Sequence, residues 1–154
     1  MKVAFAIAVI VLSVSCPAQS PGKTEVFSSA QIRSQLDQLA QQAGIKGSGG
    51  STLADYGALA IKLSERAVSG EAEIHAHFDD VMLVTEGKAT LVTGGDLIGA
   101  HTVSDGEIAG SGICNGVVQS IAAGDVIHIP AGTPHQLLIA PGTTYSALVI
   151  KVKQ

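Results

Sequence analysis

The spacing of apolar residues changes twice along the chain. Val3 to Val14 form an apolar run behind Lys2, broken by Ser13 alone. Beyond it the period becomes helical: Ile32, Leu36, Leu39, Ala40 and Ala43 fall on one face, Ser28 and Gln31 stand as a capping-box pair, Phe27 and Ile32 as a hydrophobic staple, and Gly44 as the stop. This face suits packing on the outside of the following domain, with a homodimer contact as the alternative. Lys46-Gly47-Ser48-Gly49-Gly50-Ser51 has the composition of a flexible linker. The period then falls to two. Ala58 to Arg66, Glu71 to Phe78, Val81 to Thr85, Ala89 to Thr93, Val117 to Ile121, Val126 to Ile129, Gln136 to Ile139 and Thr144 to Val152 read as strands, divided by Gly-rich or Pro-containing breaks. Many short strands and one amphipathic helix predict an all-β domain, a sandwich or a barrel, and the pattern alone does not choose between a jelly roll and an immunoglobulin-like sandwich.

Lys2, the apolar run and the small-residue stretch Ser15-Cys16-Pro17-Ala18-Gln19 follow the order of a secretory signal peptide. The run is shorter than the roughly 20 residues a membrane-spanning helix needs. The expected organisation is therefore a signal peptide over 1–18, a helix and linker over 19–52 and a β-barrel domain over 53–154, in a protein exported to the periplasm or the medium. Cys16 offers the alternative of lipid attachment and membrane anchorage, but Ser13 stands where lipoprotein sites carry Leu, and Leu12 comes one residue too early. After cleavage at Ala18, Cys114 is the one cysteine left, so an apolar core and not a disulfide must hold the fold. The composition allows this, with 46% hydrophobic and 14% charged residues. Of nine basic residues the mature chain loses Lys2 and it keeps all thirteen acids, a formal charge of −5. An acidic chain without clustered Lys and Arg is no nucleic-acid binder. Tryptophan is absent and the mature aromatics are Phe27, Tyr56, Phe78 and Tyr145, which also argues against sugar polymers and leaves small molecules as the expected partners.

Two segments carry candidate chemistry. In Glu73-Ile74-His75-Ala76-His77-Phe78-Asp79-Asp80 the two histidines are two apart, so on an extended strand both imidazoles leave one face. In the second, Gly124 is followed after five residues by Pro130, after one by Gly132 and after two by His135. This spacing resembles the second motif of the cupins. Their first motif is matched by Gly70, four residues, His75-x-His77, two residues, Asp80, six residues and Gly87, with each of the first two gaps one residue short and Asp in place of the family's Glu. The resemblance covers about residues 58 to 152. It implies a jelly-roll barrel with a divalent metal inside, held by His75, His77, Asp80 and His135, with Asp79 as the reserve carboxylate. Three imidazoles and one carboxylate suit Fe, Mn, Zn, Ni or Co and leave coordination positions open.

Other residues are placed by parity. His128 shares a face with Val126; pointing inward it would be a general base, pointing outward a surface residue. Met82, Val84, Leu137 and Ile139 share parity with the ligands and would wall a pocket for a small, weakly polar substrate. Between the motifs, Lys88 to Ala123 is long for a small barrel and suits a hairpin near its mouth, a surface excursion in which His101 and Glu107 are exposed. Cys114 lies among glycines with no cationic neighbour to activate it. Two function classes follow: a metal-dependent dioxygenase, isomerase or lyase, or a noncatalytic protein that captures a small ligand or a metal. Mass spectrometry of the protein from its native host is expected to find an unmodified N-terminus at Gln19, whereas a diacylglyceryl group on Cys16 would establish the lipoprotein alternative.

Overall fold

The computed structural model describes residues 22–154, so the expected signal peptide and Cys16 lie outside the described residues. Helix α1 (Ser29–Lys46) begins at Ser28, whose Oγ accepts from the Gln31 N–H while the Gln31 side chain accepts from the Ser28 N–H. It runs through Gly44 and stops at Gly47, which takes the left-handed conformation (φ 86°) and donates its N–H to the Ala43 carbonyl at 2.8 Å. The stop expected at Gly44 thus comes three residues later. Leu39 and Ala43 are buried where α1 packs on the first two strands, β1 (Ser48–Asp55) and β2 (Leu59–Arg66).

Strand β1 replaces the flexible linker expected from the Gly and Ser content. It pairs antiparallel with β2, Ser51 opposite Leu63, and covers an edge of main-chain donors and acceptors that no side chain needs to recognise. The remaining strands are β3 (Ala72–His75), β4 (Phe78–Thr93), β5 (Asp96–Ile98), β6 (His101–Ser104), β7 (Glu107–Gly110), β8 (Gly112–Cys114), β9 (Val117–Ala122), β10 (Val126–Ile129), β11 (His135–Leu138) and β12 (Tyr145–Lys153). Strands β1-β2-β12-β4-β11-β3-β7-β6 form one curled antiparallel sheet, with β9 and β10 also paired to β4, and β5 pairs β8 separately. The described residues are mostly β, with one helix ahead of the strands, and have the expected jelly-roll architecture.

Two expected strands, Val81 to Thr85 and Ala89 to Thr93, are halves of the single strand β4. Gly87 (φ 75°) bends it where a Cβ would strike the Thr144 carbonyl, so the chain turns without leaving the ladder. The first half pairs with β10 and β12, the second with β9 and β11. The strand expected over Glu71 to Phe78 is instead cut by a turn at Ala76–His77, which separates β3 from β4. The long segment between the motifs holds β5 to β8, and β7 joins the main sheet beside β3, Glu107 opposite His75.

Met82, Val84, Leu91, Ile121, Ile129, Ile139, Tyr145, Ala147 and Val149 form the core inside the curl. Asp80 continues the inward column of Met82 and Val84, and Lys151 that of Ala147 and Val149, so the column ends are polar. On the opposite face of β2 from Lys62, Ser64 and Arg66, Glu65 is buried and accepts a hydrogen bond from the Ser146 hydroxyl. Burial pushes its carboxyl up, the Ser146 hydrogen bond opposes this and Glu86 adds to it. A folded-state value above the unfolded one favours folding below the unfolded value and loses that contribution as pH rises through the folded value. Glu65→Gln is therefore expected to raise the melting temperature at pH 7.5, by roughly 2–4 °C for each kcal/mol recovered, and to leave it unchanged near pH 3.5; a lower melting temperature at pH 7.5 would contradict this account of Glu65.

Candidate metal centre

Alternation along β3 puts Glu73 and His75 on one face. The second motif brings His135 to them through main-chain bonds. The Pro130–Thr133 turn donates the Gly132 N–H to the His75 carbonyl at 2.9 Å, and His135, the first residue of β11, pairs directly with Glu73. The two imidazoles meet with ring centroids 5.1 Å apart, tilted by 55°. One ligating atom from each of Glu73, His75 and His135 lies within 4.8 Å of the other two. Asp80 stands beside the group: its Oδ2 is 3.6 Å from His75 Nε2, and Glu73 Oε2 is 3.5 Å from the same nitrogen.

Hydrogen bonds fix which nitrogen of each ring is engaged. His75 Nδ1 is 2.5 Å from Glu107 Oε2, a carboxylate oxygen that only accepts, so Nδ1 carries a proton and Nε2 is the nitrogen turned to the cluster. His135 Nδ1 donates to the Thr133 carbonyl at 3.1 Å, which frees its Nε2 in the same way. Burial holds His135 below the ordinary imidazole value, the Thr133 carbonyl partly offsets this and His75 adds to it, so the ring is neutral near pH 7. Asp80 is buried and its Oδ1 accepts from Lys151 Nζ at 2.8 Å. Two bare imidazole nitrogens beside two carboxylates, each ring oriented through its other nitrogen, fit a divalent transition metal.

The structure brings together His75, His135 and Asp80 of the expected ligands and sets His77 apart. The Ala76–His77 turn ends the alternation that would have kept His77 on the face of His75; its half-exposed ring lies against Gly106, with Nε2 3.8 Å from Asp105 Oδ2. Asp79 is also elsewhere: its Oδ1 accepts the Ala131 N–H at 2.7 Å and its Oδ2 accepts from His128 Nε2 at 3.1 Å. The Ala131 N–H, then His128, hold this carboxyl below the usual range. His128, considered as a general base, faces outward and is 56% exposed because its neighbours Ile127 and Ile129 take the inward positions of β10. Its bond to Asp79 fastens the turn of one motif to that of the other. His101 is exposed, as expected, and so is Cys114, whereas Glu107 is joined to His75.

A cavity of about 510 Å³ opens beside the cluster, lined among others by Glu73, Asp80, His135, Met82, Leu137 and Tyr145. Val84 and Ile139, expected in its wall, belong to the packed core. Sequence reasoning missed Glu73, the anchoring role of Glu107, and Lys151. For Glu73 the signal was present, since it stands two residues before His75.

No protein-family model matches the chain, and no curated protein sequence matches it. Solved structures do. A conserved protein with a double-stranded β-helix domain from Klebsiella pneumoniae aligns with a TM-score of 0.58 at 14% identity over 84% of this chain and 90% of that one. A cupin-2 domain from Rhodospirillum rubrum aligns with a TM-score of 0.51 at 14% identity over 69% and 60%. A polyketide cyclase from Streptomyces resistomycificus aligns with a TM-score of 0.50 at 22% identity over 70% of this chain and 66% of that one, so the likeness leaves a third of the cyclase unmatched. These likenesses show the cupin fold. Glu107→Gln is expected to weaken divalent-metal binding about 10–100-fold by releasing the His75 ring, as read from competition with a chromogenic chelator; unchanged affinity would contradict the anchoring role.

Proposed function

We propose that Glu73, His75 and His135, with Asp80 as a fourth donor, hold a divalent transition metal and that the protein uses it on a small oxygen-bearing molecule admitted to the adjacent cavity. The observation that carries this reading is the pair of inward Nε2 atoms, each bared by a hydrogen bond at the opposite nitrogen of its ring. Fe, Mn, Zn, Ni and Co all suit such a nitrogen and oxygen set. A metal held there would polarise a carbonyl or hydroxyl, or bind dioxygen.

The chain's own residues would do the rest. Lys151 holds one oxygen of Asp80 and leaves the other turned toward His75. Met82, Leu137 and Val149 give the cavity apolar walls that keep water from the bound molecule. Burial pushes the Tyr145 hydroxyl up to about 12, with Arg66 opposing, so it stays protonated and can donate a hydrogen bond. Dioxygenase, isomerase or lyase chemistry is compatible with this set. With His128 outside and Lys151 engaged by Asp80, capture of a ligand without turnover is the second reading. The apolar run behind Lys2 supports an exported protein.

Glu73→Gln and His135→Ala are each expected to lower metal content more than tenfold in protein passed through gel filtration, while His77→Ala retains it. Elemental analysis decides: equal loss in all three variants, or loss in His77→Ala alone, would defeat this ligand set.

A further inference from the structure

The cavity beside the cluster carries more positive charge than its own carboxylates can balance once a metal is present. Lys62, Arg66 and Lys151 line it from β2 and β12, against Glu71, Glu73 and Asp80. Three cations face three carboxylates in the lining, and with Glu107 on His75 counted beside them a divalent ion leaves one positive charge in excess.

Two of the cations also have unused capacity. Among the described residues Arg66 Nε is buried without any hydrogen-bond partner, and the nearest carboxylate oxygen to the guanidinium, Glu73 Oε1, is 3.9 Å from Nη2, beyond hydrogen-bonding range. Lys62 takes part in no ion pair among the described residues. Lys151 differs, because Asp80 engages it at 2.8 Å. A buried donor of a partly buried guanidinium (side chain 23% exposed) is costly to leave idle unless something in the cavity accepts from it, and the planar fork matches a carboxylate. Met82, Leu137 and Val149 give the same cavity an apolar lining.

Resting on the metal centre proposed above, we infer that the cavity takes a small carboxylate, its charged group received by Arg66 and Lys62 and a second oxygen facing Glu73, His75 and His135. A neutral ligand would leave the excess charge and the Arg66 donors unanswered. The ligand class is thus an oxo or hydroxy carboxylic acid with a short apolar body.

Calorimetric titration of the metal-loaded protein with 2-oxobutyrate and with its neutral amide tests this, with metal content measured on the same samples and folding checked by circular dichroism. The acid is expected to bind at least about tenfold more tightly than the amide. Arg66→Gln and Lys62→Gln are each expected to reduce acid binding by about tenfold while leaving amide binding and metal content unchanged; Lys62→Gln carries the test should Arg66→Gln fail to fold. Equal binding of acid and amide, no acid binding at millimolar concentration, undiminished acid binding by the folded variants, or displacement of the acid by an equal concentration of inorganic phosphate would overturn the inference. Wild-type protein that holds no metal yet prefers the acid through Arg66 would defeat the metal centre and leave the carboxylate site standing.

Discussion

Strand β4 is the constraint on which the rest of the structure depends. Its sixteen residues run through both walls of the barrel, paired with β10 and β12 before the bend at Gly87 and with β9 and β11 after it. Those registers place the site. Lys151 stands opposite Asp80 on one side of the strand, and His135 stands opposite Thr93 far along it. A one-residue slip would turn Asp80 and Met82 outward together and remove both the carboxylate and the cavity wall.

The second level of order is local. The Gly132 N–H bound to the His75 carbonyl and the pairing of His135 with Glu73 join the two motifs through main-chain atoms, so the spacing of the rings does not rest on side-chain packing alone. Glu107 then selects the nitrogen that His75 offers, and it comes from β7, in the segment between the motifs. That segment is part of the site, not merely an excursion from the surface. Asp79 serves the same geometry from outside, accepting from the Ala131 N–H to hold that turn in place while its other oxygen accepts from His128.

Much of this was legible in the sequence. The capping box of α1, the strand-rich pattern and the second motif's spacing each depend on local chemistry that reads directly from residue types. The rest depends on partners distant in sequence. Gly44 is as good a helix stop as Gly47 until the chain after Lys46 must enter β1, and Ser48 to Ser51 look like a linker until the open edge of β2 is there to pair with. His75 and His77 share a face only if the strand continues, and nothing local announces the turn between them. The parity of β10 was likewise open until Ile127 and Ile129 were seen packed in or against the core. Glu73 was findable by the same two-residue rule applied to the histidines, taken one step in the other direction.

The most direct test of the central claim is anomalous diffraction from crystals of the protein loaded with a single divalent metal, Zn or Mn. The account predicts one strong peak between Glu73, His75 and His135, close to Asp80, with the His77 ring outside its coordination shell. A peak coordinated by His77, or none among Glu73, His75 and His135, would contradict it.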